Sequence, residues 1–318
     1  MANRRVALVG CGMVGMSYAY ALLNSDLCNE LILIDINEDR AKGEAMDLNH
    51  GLCFSSSHMK IRAGSYEDCQ YADLVVITAS AGSRKPGETR FDQLNKNVAI
   101  FKSFIGKIVA SGFNGIFLVA SNPVDVMTRI TYELSGFPAN RVIGSGTTLD
   151  TARLRYLVGN YFQADPHSVH GYVIGEHGDS EFVPFSQLNL STKNVEEFFT
   201  DERFNGDYKR EDIEEIIEKV KYSGAEVIKL KGATYYGIGM SLVRITKAIF
   251  GDENSVITVS SRLNGEYGGM RDVYLGLPAY VNRNGVRKIL PLNLTDDEVE
   301  KLRNSYNILK DSYESLNI

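Results

Sequence analysis

Three residue types that together can reduce a carbonyl stand close to one another in this sequence. The stretch Gly175-Glu176-His177-Gly178-Asp179-Ser180 follows an apolar run, 169–174, that reads as a buried strand, and puts an imidazole at its exit. Twenty-five residues upstream of that stretch lies Asp150-Thr151-Ala152-Arg153. Hydride delivery to a ketone carbon builds negative charge on its oxygen, so a proton donor of near-neutral pKa is wanted there. His177 is the candidate. A buried carboxylate beside an imidazole fixes its orientation and favours its protonated form, which is the role expected of Asp150. Arg153 lies one helical turn further on and can face the same pocket. Its planar fork can bind a carboxylate through two hydrogen bonds. The set suits reversible reduction of a 2-oxo acid.

A second group is Lys85-Pro86-Gly87-Glu88-Thr89-Arg90, after a segment of small and polar residues. A loop of that kind can close and bring Arg90 in from solvent to stabilise the developing oxyanion. Asn122, in Ser121-Asn122-Pro123, ends a strand and can hydrogen-bond a substrate oxygen or a nicotinamide amide. His50, His58 and His167 read as ordinary surface or satisfied histidines.

The elements that must carry these groups follow from the apolar pattern. Strands are expected at 5–9, 31–35, 74–78 and 115–120, with helices at 14–23, 40–49 and 91–111 between them, and a short last strand at 142–143. Alternation of this kind predicts a parallel, doubly wound sheet. The second half reads differently. Helices are expected at 147–161 and 210–220, a long glycine-interrupted helical stretch at 224–250, and antiparallel strands at 255–261 and 279–283. A terminal helix is expected at 295–316, opened by the capping box Thr295-x-x-Glu298. The expected fold class is α/β: a Rossmann-type doubly wound parallel sheet at 1–146, then an α+β substrate and catalytic domain at 147–318.

Gly10-Cys11-Gly12-Met13-Val14-Gly15 follows the first strand and opens a helix. The first glycine makes the turn, the second lets a pyrophosphate approach the backbone, and the third lets helix and strand pack closely. The helix N-terminus, with Met13 and Val14, offers N–H groups to phosphates. Asp35 ends the second strand 20 residues after Gly15, where a carboxylate can hold ribose hydroxyls. It would repel a 2′-phosphate, so NAD is expected over NADP. Thr78 and Ala79, at the end of the 74–78 strand, join the expected cofactor-binding set, as does Asn122.

Composition narrows the partners. A formal net charge of −6 argues against wholesale binding to nucleic acid or to an anionic membrane. No apolar run reaches the roughly 18 residues that a spanning helix needs. The basic start, residues 1–9, runs into Gly10, Gly12 and Gly15 and reads as a strand rather than a signal peptide. Cys11, Cys28, Cys53 and Cys69 form no CxxC and have no histidine at zinc spacing, so they read as thiols in a reducing cytoplasm, and no metal site is expected. That also speaks against an NAD-dependent glycoside hydrolase with a Cys/His-bound metal. A non-catalytic nucleotide sensor would have no need of the His177, Asp150, Arg153 and Arg90 set.

Over essentially its full length the chain resembles the L-lactate/L-malate dehydrogenase family, closest to its bacterial lactate members. The matching stretches are GCGMVG at 10–15, KPGETR at 85–90, SNPVD at 121–125, GSGTTLDTAR at 144–153, GEHGDSE at 175–181 and GATYYGI at 232–238. The resemblance implies that His177 exchanges the proton, with Asp150 as its partner. Arg153 would bind the substrate carboxylate and Arg90 would be the lid arginine. Asn122 and Thr234 would line the substrate pocket, and Ile238 would pack beside the nicotinamide. It implies NAD, pyruvate and (S)-lactate, a cytoplasmic homotetramer and, at Arg155 and His170, a site for the activator fructose 1,6-bisphosphate. One departure matters. Lactate members usually carry Gln before the lid lysine and malate members carry Arg; this chain has Arg84 and one extra residue between Thr78 and Arg84. About 4 Å from a second substrate carboxylate, Arg84 would add roughly 4 kcal/mol in favour of oxaloacetate at an effective dielectric near 20. A malate or relaxed-specificity enzyme is therefore the alternative to lactate.

Overall fold

The computed structural model describes residues 4–82, 87, 89–204 and 206–316. Its first half alternates strand and helix: β1 (Arg5–Val9), α1 (Met13–Leu23), β2 (Glu30–Ile34), α2 (Glu38–Gly51), β3 (Lys60–Ala63), β4 (Leu74–Ile77), α3 (Arg90–Ala110), β5 (Ile116–Val119), α4 (Val124–Ser135) and β6 (Val142–Gly144). These strands pair in parallel, in the order β3-β2-β1-β4-β5-β6. Helices cover both faces of such a sheet, which is why its central strands are continuous apolar runs. Leu74–Ile77 and Ile116–Val119 are buried throughout. The order reverses between β1 and β4. Ligands bind at the strands' C-terminal ends at such a point.

The second half comprises α5 (Thr148–Tyr161), β7 (Val169–His170), β8 (Asn189–Leu190), β9 (Lys193–Asn194), α6 (Glu196–Thr200), α7 (Arg210–Lys231), α8 (Tyr236–Gly251), β10 (Ser255–Asn264), β11 (Arg271–Asn282), β12 (Gly285–Ile289) and α9 (Asp296–Glu314). It does not build a separate main sheet. β10 lies antiparallel beside β6, with Ser260 opposite Gly144, and β11 and β12 extend the same sheet to nine strands. One apolar cluster joins Leu8, Leu22 and Leu33 of the first half to Leu242, Ile245 and Val259 of the second. Within it the buried Tyr18 hydroxyl lies 2.9 Å from Thr246 Oγ1, tying α1 to α8. A separate cluster around Leu154, Val158, Val173 and Ile213 packs α5 against α7.

Several local expectations need correction. The 169–174 run is no continuous strand: β7 ends at His170, and Ile174 and Gly175 make only single bridges, to Phe182 and Gly276. Val173 and Ile174 are buried in packing between elements, so their apolarity marks the core and not a ladder. The helix expected at 224–250 is broken. α7 runs on to Lys231, and Gly232, at φ +87°, ends it. α8 starts at Tyr236. β3 and β12 lie outside the expected strands, and β11 starts well before 279.

Candidate active site

β1 delivers the glycine loop and β4 delivers Thr78 and Ala79 to the same crevice. Gly10, at φ +103°, is packed so closely that an added Cβ would lie 2.6 Å from the Ala79 nitrogen. Thr78 Oγ1 donates to the Gly10 carbonyl at 2.7 Å and the Ala79 N–H donates to Val9 O at 3.0 Å. Asp35, just past β2, accepts from the Cys11 N–H at 2.7 Å and the Asn37 N–H at 2.9 Å. The carboxylate thus stands at the edge of the glycine loop. Above Gly12 the space is open, with nothing within 4 Å of a built Cβ. α1 has no side-chain cap and no acidic residue in its first turn, so its leading N–H groups, at Met13, Val14 and Gly15, are left for an anion. Ile238 packs from α8 against the same side of the core. An open cradle, uncapped N–H groups and an adjacent carboxylate together fit the pyrophosphate and ribose of a dinucleotide.

The chemistry-bearing groups meet at the start of α5. The His177 ring Nδ1 lies 2.7 Å from Asp150 Oδ2, and Arg153 Nη1 lies 2.7 Å from Asp150 Oδ1. One carboxylate, 1% exposed, therefore takes a cation on each oxygen. Spacing of three on a helix turns Asp150 and Arg153 the same way, as expected. With Nδ1 committed to Asp150, Nε2 is the ring nitrogen that this carboxylate does not engage. The His177 side chain keeps 28% of its surface accessible.

Two further carboxylates, not singled out from the sequence, complete the site. Asp125, at the first turn of α4 and buried, accepts the His177 backbone N–H at 2.8 Å. Glu181, four residues beyond His177 in the same loop, lies 3.7 Å from Nδ1. Both sat inside quoted motifs, SNPVD and GEHGDSE, and the four-residue step from His177 to Glu181 was the available signal.

Burial alone would depress the His177 pKa. The Asp150 carboxylate, through its charge and its hydrogen bond, and then Glu181 raise it well above the ordinary imidazole value. Burial disfavours ionised Asp150, but His177 and then Arg153 hold it below the usual carboxylate range. Glu181 is pushed up to about 7, chiefly by burial. Asp125 rises to about 6 for the same reason, against the hydrogen bond from His177. Asp150, His177 and Glu181 are near enough to offer ligand atoms to one ion. Their arrangement favours a shared proton, because the Arg153 cation already occupies the Asp150 carboxylate.

Asn122 is exposed beyond β5, where its carbonyl accepts from Asn97 Nδ2 at 2.7 Å. Thr234 lies half-buried in the break between α7 and α8. Arg155 on α5 has a buried Nε without a partner, and burial depresses its pKa. His170 is exposed on β7. Arg84 and the Arg90 side chain fall outside the described residues; Arg90 itself opens α3 behind the Thr89 cap.

Residues 4–144 match the lactate/malate dehydrogenase NAD-binding domain, and residues 147–317 match the α/β C-terminal domain of the same family. The chain is 52% identical over 308 residues to L-lactate dehydrogenase 2 of Bacillus cereus, covering 97% of this chain and 96% of that one. It is 50% identical over 307 residues to the L-lactate dehydrogenase of Bacillus pumilus, covering 96% of each. Its structure superposes on the ligand-bound minor L-lactate dehydrogenase of Enterococcus mundtii with a TM-score of 0.96, at 43% identity over 100% of both chains. It superposes on a lactate dehydrogenase from a deep-sea metagenome with a TM-score of 0.95, at 49% identity over 99% of both. With a dinucleotide cradle at the glycine loop, a histidine–carboxylate–arginine set at the start of α5, and both domains of the family matched in order, the chain belongs to the NAD-dependent lactate/malate dehydrogenase family.

Proposed function

We propose that this chain is an L-lactate dehydrogenase that reduces pyruvate to (S)-lactate and runs the reverse reaction. The observation that carries the reading is Asp150, which faces His177 with one oxygen and Arg153 with the other. Bound NADH supplies the hydride. Arg153 then leaves Asp150 far enough to grip the substrate carboxylate, Asp150 keeps the His177 ring charged and aimed, and Nε2 gives its proton to the carbonyl oxygen as hydride arrives. Arg90 joins as the lid closes, Asn122 and Thr234 contact the substrate, and Gly10, Gly12, Met13, Val14, Gly15, Asp35, Thr78, Ala79 and Ile238 hold the dinucleotide. The names of the relatives favour lactate over malate.

The same reading divides the chain at 146/147 and places it in the cytoplasm; among the described residues no helix is long and apolar enough to cross a membrane. Exposed Tyr20, Met46, Phe54 and Tyr236 support assembly into a homotetramer. The unpaired Nε of Arg155, with His170 nearby in sequence, supports activation by fructose 1,6-bisphosphate. The test compares kcat/KM for pyruvate and oxaloacetate in the wild type and Arg84→Gln, with and without that activator. Pyruvate is expected to win by at least tenfold in both enzymes. A preference for oxaloacetate that Arg84→Gln reverses would overturn the lactate reading.

A further inference from the structure

The C-terminal helix grips the loop that carries His177. α9 presents Glu298, Leu302, Ser305 and Leu309 to the interior, and all four are buried. Two of these are apolar, as a docking stripe requires. The other two are polar, and each reaches the segment that follows His177. Ser305 Oγ donates to the Ser180 carbonyl at 2.8 Å and lies 2.9 Å from Ser180 Oγ. Ser180 Oγ in turn donates to Glu176 at 2.5 Å. Two turns earlier, Glu298 accepts from the Ser186 hydroxyl at 2.7 Å and from the Ser186 N–H at 3.1 Å. The loop has made room for this helix. Gly175, at φ +101°, exchanges hydrogen bonds with Gly276 of β11, and a Cβ on it would lie 2.6 Å from Ser305 Oγ.

We infer that Ser305 is a positioning residue for His177: its hydroxyl pins the far side of the 175–181 turn, so that the imidazole meets Asp150 squarely. The near side is pinned separately, by Asp125 on the His177 N–H. Without the Ser305 hydroxyl the half-buried Ser180 carbonyl loses its donor, and a partly desolvated polar group left unpaired favours local rearrangement. The turn, still held at Gly175 by Gly276, at Phe182 by Ile174 and at the His177 N–H by Asp125, then rotates locally between these attachments. The contact that such a rotation strains is His177 Nδ1 to Asp150 Oδ2. Among the described residues, the charged groups around His177 include Asp150 of α5, which also holds Arg153, and Glu181 from its own loop, with Asp125 of α4 at its backbone.

The inference rests on His177 being the proton donor, and the experiment separates the two. In Ser305→Ala, kcat/KM for pyruvate at neutral pH is expected to fall three- to tenfold, mostly in kcat. The alkaline limb of its pH profile should move down by half a unit or more. Ser180→Ala keeps the carbonyl that accepts from Ser305 and loses only the hydroxyl between Ser305 and Glu176, so it is expected to move the limb the same way by a smaller amount. Leu309→Ala, which loosens the same helix without touching the loop, should lower Tm and leave the limb in place. Substrate-free modification of His177 by diethyl pyrocarbonate, followed against pH by site-resolved mass spectrometry, should report the same displacement even if pyruvate is not the substrate. Profiles of Ser305→Ala and Ser180→Ala that superimpose on the wild type, with only Tm reduced, would leave Ser305 a purely structural residue and overturn the inference.

Discussion

At the scale of single residues the site is governed by one buried carboxylate. Asp150 holds His177 and Arg153 at once, and its charge is what keeps the imidazole protonated against the cost of burial. The pH dependence follows from that sign. On the proposed role of His177, reduction needs the ring protonated, so it should persist above the ordinary histidine value and decline only as pH rises through the elevated pKa. Oxidation of the alcohol needs the neutral ring and should rise through the same value. In Asp150→Asn the limb should fall back toward the ordinary value of about 6.5, and kcat/KM for pyruvate should drop by roughly 10²–10⁴. Steady-state pH profiles in both directions measure this; an unmoved limb would detach Asp150 from the proton chemistry. The stability contribution has the same sign. A His with a raised folded pKa stabilises the fold most below its unfolded value and loses that contribution as pH climbs through the folded one.

At the scale of elements, the parts legible in the sequence are those where one local rule decides the outcome. Glycines at 10, 12 and 15 between an apolar run and a helix have a single use, and Thr295-x-x-Glu298 does cap α9. The misread parts are those where tertiary packing decides. Residues 169–174 have a strand's apolarity but lie between layers, where only Val169 and His170 find a partner strand. The break between α7 and α8 hinges on Gly232, yet Gly224 looked an equally good place to begin a helix and is instead interior to α7. Gly224 has a reason of its own. A built Cβ there would lie 3.5–3.8 Å from the Arg153 guanidinium, an ordinary contact that closes space beside it. Gly224→Ala should therefore stabilise α7 by up to about 1 kcal/mol while hindering the proposed turn of Arg153 from Asp150 to substrate. The expected result is a higher Tm together with a several-fold higher KM for pyruvate and a kcat less affected. A raised Tm with unchanged KM would show that Arg153 does not use that space.

For the molecule as a whole, the two halves that sequence patterning separates near residue 146 are joined by the physical core. Which residues would be shared was not readable from apolar periodicity, because α1 and α8 are more than 200 residues apart and neither pattern names its partner. In the fold, Tyr18 of α1 meets Thr246 of α8, Leu242 and Ile245 join the cluster beneath β1 and β2, and β10 extends the parallel sheet at Ser260. Removing either half would expose that shared surface, so neither should unfold alone. Heating the apoprotein is expected to give one transition, with hydrogen exchange in the 5–34 strands and in β10 and β11 lost together. NADH at a hundred times its dissociation constant should add about 2.7 kcal/mol to both sets of amides equally, although most of its proposed contacts lie in the first half. Residues 1–146 expressed alone should lack a cooperative transition. Two resolved transitions, or NADH protection confined to residues before 146, would mean that the halves fold as independent domains despite their common core.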